Sequence, residues 1–163
     1  MRQYYTNLEE KAKNKLLFSI LHKVSYNQAI IFTSKVDRAK FLCKLMCEMD
    51  FPAITIHSEM NQKSRIEHYD RFKKGEKRIL VATNLVARGI DIERVNLVVN
   101  FDMPEDSNTY LHRVGRAGRY NTKGIAISMI TSEEDKKVLE EIQSRFELEV
   151  EQLPSNVEEC SFN

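Results

Sequence analysis

Three arginines, Arg113, Arg116 and Arg119, recur every third residue in the stretch Tyr110-Leu-His-Arg-Val-Gly-Arg-Ala-Gly-Arg119, with Gly115 and Gly118 between them. On a helix or tight turn they would share one side, and the two glycines would let the backbone bend and a charged ligand come close. A guanidinium stays charged and forks two donors onto phosphate oxygens, so the chemistry this pattern suits is phosphate clamping. On spacing alone a second reading stands beside it: a solvated basic loop, or one binding nucleic-acid backbone without selectivity.

The elements that must position this stretch follow from apolar periodicity. Short apolar runs at Gln3–Leu8, Asn27–Phe32, Pro52–His57, Arg78–Ala82, Asn96–Phe101 and Gly124–Ile130 read as strands, most of them buried on both faces. Between them lie helical patterns. Glu9–Val24 is expected to turn Ala12, Leu16, Ile20 and Leu21 inward, and Lys35–Met49 to turn in Val36, Leu42, Leu45 and Met49. A third helix, from Asn61 or Gln62 to Lys74, is expected to bury Ile66, Tyr69 and Phe72 and to end at Gly75. Asp106–Val114 and Ser132–Phe146 complete the set, the latter with Thr131 and Glu134 as a capping box. Strands alternating with helices demand an α/β fold: a parallel β-sheet with helices on both faces. In such sheets ligands gather at the carboxyl ends of the strands, where His57, Thr83 and Asp102 fall.

Composition narrows the classes further. The 163 residues suit a single domain, and 42% hydrophobic content is that of a globular chain. The net charge of +1 conceals an asymmetry: residues 1–59 carry +3, residues 60–119 carry +4 and residues 120–163 carry −6. Polyanion binding therefore belongs to the first two segments, and residues 147–163 read as an acidic tail. Cys43 and Cys47, four apart on a helix, are too few for a zinc site and read as buried thiols of a reducing compartment; no metal site is expected. No apolar run reaches the ~18 residues of a membrane span, and no signal peptide is visible, so an intracellular protein without membrane contact is expected.

Taken together, Val81-Ala-Thr-Asn-Leu-Val-Ala-Arg-Gly-Ile-Asp91, Asn100-Phe-Asp-Met-Pro104 and the arginine stretch resemble the motifs of the second RecA-like lobe of DEAD-box RNA helicases, in order and spacing, from about Gln3 to Pro154. Ile90–Asn96, Met103–Ser107 and Thr122–Gly124 are similar to the splicing and mRNA-export branch. The resemblance implies a single RecA-like domain in which Arg116 and Arg119 are arginine fingers for the γ-phosphate of ATP. It further implies that Arg113 pairs with an acidic motif of the first lobe, that His112 couples the lobes, and that Asp91, aimed by Gly89, accepts from the ribose hydroxyls. Gln62, Arg65 and Thr83 match RNA-contacting positions, and Lys35 stands where the family has a small hydroxyl residue. Ser58, Glu59 and Asn84 are further departures, and Asn121 stands where the branch often has glycine. Taken singly, Asp91 also suits a local turn cap, His112 an interface histidine and Arg65 an exposed helix charge.

No Gly-x-x-x-x-Gly-Lys-Ser/Thr loop and no Asp-Glu-Ala-Asp box occurs in the chain. The chain is accordingly expected to be the carboxyl half of a longer helicase, inactive alone. ATP and Mg2+ would be held mainly by the N-terminal RecA-like lobe. Single-stranded RNA, short RNA duplexes and mRNA-export assembly and adaptor proteins are the implied partners, and the nucleus the implied location. The rival from another class is a non-catalytic RNA- or protein-docking module. A dinucleotide-binding dehydrogenase is a weaker third option, since no Gly-x-Gly-x-x-Gly follows the first strand.

Overall fold

In the computed structural model, residues 2–83, 94–115 and 124–160 are described. Their apolar runs become six strands, β1 (Arg2–Asn7), β2 (Gln28–Phe32), β3 (Ala53–Ile56), β4 (Ile79–Ala82), β5 (Val95–Asn100) and β6 (Ile125–Ile130), joined by a short β7 (Glu151–Gln152). They form one sheet in the order β3-β4-β2-β5-β6-β1-β7, every neighbouring pair parallel. β2, β4 and β6 are buried along their whole length, which is why their sequences lack polar alternation.

Five helices among the described residues cover the two faces: α1 (Lys13–Lys23), α2 (Val36–Glu48), α3 (Gln62–Lys73), α4 (Ser107–Val114) and α5 (Glu133–Phe146). Successive strand residues feed opposite cores. Ile30 and Phe32 of β2 pack with Phe72 of α3, Tyr110 of α4 and Ile142 of α5. Ala29 and Ile31 pack with Leu17 and Ile20 of α1 and with Leu42 and Met46 of α2.

Several details differ from the sequence reading. α1 turns in Lys13, Leu17, Ile20 and Leu21 rather than Ala12 and Leu16, because a one-turn 3-10 segment at Glu10–Ala12 resets the helical phase. Ile66 and Met49 are exposed; α3 buries Phe72, while Ala39, Leu42 and Met46 form the buried face of α2. Cys47 is also exposed and Cys43 half-buried, both as free thiols. The cap of α5 sits one residue later than expected: Ser132 accepts from the Asp135 N–H, and Asp135 accepts from the Thr131 N–H at 2.9 Å.

The acidic segment after α5 is stitched to the sheet. Glu151 and Gln152 pair with Tyr4 and Tyr5 of β1, the Leu153 N–H donates to the Tyr5 carbonyl at 2.7 Å, and Val150 and Val157 are buried. At the opposite edge, two carbonyls of β3 are satisfied by side chains. Ala53 accepts from the Cys47 thiol at 3.4 Å, and the Thr55 carbonyl meets His68 Nδ1 at 2.7 Å. Two outward acceptors of that edge are thereby occupied by the protein's own side chains.

Gly75 ends α3 with φ +86°, its N–H donating to Phe72 and the Glu76 N–H to Arg71. This is a Schellman closure, which needs the left-handed region. An added Cβ would lie 2.7 Å from Arg94 Nη1, at the end of a flexible side chain, so backbone strain dominates. Gly75→Ala is expected to lower stability by about 1–2 kcal/mol, read as a lower urea midpoint at unchanged slope. An unchanged midpoint would contradict the cap.

Candidate nucleotide and RNA interface at the carboxyl ends of the strands

β3, β4 and β2 are neighbours in the sheet, so the residues that follow them line up along one edge at spacings of about 4.8 Å per strand. His57 follows β3, Thr83 follows β4, and Thr33, Ser34 and Lys35 follow β2. Thr83 is buried. Lys35 is exposed at the N-cap of α2, where its extended backbone makes no side-chain cap; its carbonyl accepts from the Thr33 hydroxyl at 3.1 Å. Asn61 caps α3 by accepting from the Ser64 N–H at 2.8 Å, which sets Gln62 exposed in the first turn and Arg65 half-buried one turn on. Arg65 Nε is buried without a hydrogen-bond partner among the described residues. His57 is buried and accepts, through Nδ1, from the Glu59 N–H at 3.2 Å. Burial, then Lys40, lower its proton affinity. Glu59 itself pairs with Lys40 at 3.2 Å.

The strongest electrostatic feature was missed by sequence reasoning. Asp102, at the carboxyl end of β5, receives Lys13 Nζ at 2.9 Å, Arg38 through Nε at 2.8 Å and Nη2 at 2.6 Å, the Ser34 N–H at 2.8 Å and the Ser34 hydroxyl at 3.1 Å. Glu10 closes the cluster from the entry to α1, pairing with both Lys13 and Arg38. Burial opposes the charge on Asp102, but the Arg38 hydrogen bond, the Ser34 N–H and Lys13 outweigh it and hold the carboxyl at about 2. The one sequence signal was Lys13, a charge at helical spacing from Leu17 and Ile20 on the buried face of α1.

A carboxyl held at about 2 against an ordinary 3.8 contributes stability that is fully present above about pH 4 and lost as pH falls through about 2, worth about 2 kcal/mol in all. Urea midpoints taken across that interval should therefore fall more steeply for the wild-type chain than for Asp102→Asn. Parallel acid limbs would remove this role from Asp102.

Of the three spaced arginines, Arg113 lies in the described part, and it points inward. It has no exposed surface, and its Nη1 donates to Asn100 Oδ1 at 3.1 Å and to the Asp102 carbonyl at 2.7 Å. Its guanidinium lies over the Phe32 ring at 5.0 Å from the centroid, a cation–π contact. Asn100 in turn donates to the Ser128 hydroxyl at 3.0 Å. Burial pushes the Arg113 guanidinium down to about 10, with the Asp102 charge opposing, so it remains a cation at neutral pH. These contacts bring the end of α4 to the carboxyl end of β5, beside the loop that carries Ser34 and Lys35. In this arrangement Arg113 serves the lobe's own interior, and the contact across lobes that the resemblance implies would have to reach it there. His112 is exposed next to it. Gly115 closes α4 with its N–H on the Leu111 carbonyl; a Cβ there would stand 2.9 Å from that oxygen. Gly89, Asp91, Arg116 and Arg119 lie outside the described residues.

A parallel sheet covered on both faces, with basic and hydroxyl side chains gathered at its carboxyl edge, is an α/β lobe whose strand ends face a ligand, and its fold matches the RecA-like type. The chain belongs to the family described as helicase conserved C-terminal domain, matched over residues 12–121, and its fold is that of a DEAD-box C-terminal lobe. The C-terminal domain of the DEAD-box protein Dbp5 superposes with a TM-score of 0.87 at 30% identity, covering 96% of this chain and 91% of that one. Dbp5 of S. cerevisiae bound to RNA and ADP BeF3 superposes with a TM-score of 0.88 at 31% identity, over 94% of this chain and 41% of that one. In sequence the chain is 52% identical over 158 residues to the ATP-dependent RNA helicase WM6 of Drosophila melanogaster, covering 97% of this chain and 37% of that protein. The chain thus spans little more than a third of the length of such curated relatives.

Proposed function

We propose that this chain is the C-terminal lobe of an ATP-dependent DEAD-box RNA helicase acting in pre-mRNA splicing and mRNA export in the nucleus. The observation that carries the reading is the shared edge. Lys35 and Thr83 follow adjacent strands, α3 presents Gln62 and Arg65 from the same side, and the arginine-bearing helix is tied to the end of β5 beside them. Half identity to WM6 and the likeness to an RNA-bound DEAD-box protein support it.

In this mechanism Lys35, Gln62, Arg65 and Thr83 hold the backbone of single-stranded RNA through phosphates and 2′-hydroxyls, so base preference is small and binding weakens steeply with salt. Arg116 and Arg119 reach the γ-phosphate of ATP when the first lobe closes on this one, neutralising charge that develops as the phosphoryl group leaves. Asp91, beside Gly89, accepts from the ribose hydroxyls, and His112 lies at the seam between lobes. Closure bends the bound strand so that a short duplex cannot stay paired; hydrolysis and phosphate release reopen the cleft. Among the described residues no group of three or more His, Cys, Asp or Glu could hold a metal ion. The place of Mg2+ is on the first lobe with the ATP phosphates, and mRNA-export assembly and adaptor proteins are the expected protein partners.

The deciding experiment mixes this chain with the separately expressed first lobe and measures ATP hydrolysis with and without single-stranded RNA. Each lobe alone should be inactive, and the mixture, or the covalently joined protein, should hydrolyse ATP in response to RNA. A joined protein that is silent would leave the docking module as the better reading.

A further inference from the structure

Asp102 has no part in the RNA or nucleotide contacts proposed above, yet it touches both sides of them. Its carboxylate accepts from the Ser34 N–H and hydroxyl, immediately before Lys35. Its carbonyl accepts from Arg113. Its own N–H donates to the Phe32 carbonyl at 3.2 Å, and Phe32 carries the ring under the Arg113 guanidinium. The loop between β2 and α2 has no side-chain cap at Lys35; the Asp102 carboxylate holds the chain one residue earlier, at the Ser34 amide and hydroxyl. Lys13 is 2% exposed and cannot turn to water, and Arg38 grips both carboxylate oxygens from the first turn of α2. The carboxylate is thereby held in one orientation.

We propose that Asp102 is a positioning residue: through one carboxylate and one carbonyl it sets the Ser34–Lys35 loop and the Arg113 guanidinium relative to each other, so that the RNA-side loop and the arginine helix are carried as one unit. Its consequence for catalysis rests on the helicase reading above; its structural content does not. Removing the carboxylate frees the loop amide and lets Lys35 and the start of α2 drift from the arginine helix. RNA bound at one would then no longer orient the other.

The test pairs Asp102→Leu with Lys13→Met, which replaces the buried charges by apolar groups of similar size and so spares the fold. In the chain itself, hydrogen exchange at the Ser34 amide should accelerate at least ten-fold, and the Arg113 side-chain NMR signals should shift, with the Val81 amide unchanged. In the full-length protein, the ratio of RNA-stimulated to basal ATPase should fall at least ten-fold. Wild-type protection at Ser34, an unmoved Arg113 signal, a wild-type stimulation ratio, or an equal loss of basal and stimulated rates would each overturn the proposal. Should the double variant not fold, Arg38→Gln keeps the Asp102–Lys13 pair and should lower the ratio at least three-fold, with recovery in Arg38→Lys; a wild-type ratio there overturns it equally. If the wild-type full-length protein shows no RNA stimulation, the helicase reading falls, and the Ser34 and Arg113 measurements alone decide the proposal.

Discussion

Replacing Arg119 by alanine in the full-length protein is expected to lower the RNA-stimulated ATPase rate about 10³–10⁵-fold. A finger on the γ-phosphate acts where charge develops, so kcat and kcat/KM should fall together while the KM for ATP changes little. Arg119→Lys should recover only a small part, because an ammonium has no planar fork to span two phosphate oxygens. Arg116→Ala should behave alike. The measurement is steady-state hydrolysis at saturating RNA beside the wild type. A variant with wild-type turnover would exclude the finger and favour the docking module.

Arg113→Ala is expected to fail differently, through the fold. The guanidinium fills a fully buried space over Phe32, and its removal leaves Asn100 Oδ1 and the Asp102 carbonyl without that donor in the interior. Unpaired buried acceptors cost about 1–3 kcal/mol each, and the cavity adds to that. A loss of about 3–5 kcal/mol follows, which for a chain of this size lowers Tm by roughly 10 °C. Arg113→Lys should regain less than half, since it keeps the charge but loses the planar contact with the ring. Calorimetry on the chain itself checks this. A Tm within about 2 °C of wild type would mean that the buried network contributes nothing net. If both predictions hold, Arg113 and Arg116, three residues apart, act by unlike means.

Much of this was legible in the chain. Continuous apolar runs such as Gln28–Phe32 and Ile125–Ile130 admit few readings other than buried parallel strands, because polar alternation would mark an exposed face. Asn61 and Asp106 stand at helix starts and bond locally to the backbone, which needs no knowledge of the rest of the fold, whereas the cap of α5 fell on Ser132 rather than on Thr131. The family was legible too, since three linked motifs recur in order.

Other features were decided by contacts between distant elements. Ile66 had the spacing of a core residue but lies on the outer side of α3, because the helix's single buried anchor, Phe72, sets its rotation. β7 is two exposed residues, Glu151 and Gln152, with no strand signal of their own; Tyr4 and Tyr5 at the sheet edge supply the pairing.

Amino-acid sequence by itself determined the main strands and helices and their parallel α/β arrangement, since periodicity and capping are local properties of the chain. Only the tertiary structure decided that Lys13 and Asp102, 89 residues apart, meet at 2.9 Å and that Arg113 turns inward. Those outcomes depend on which strands lie side by side, and a charge becomes a buried partner or a solvated one according to what the fold places opposite it.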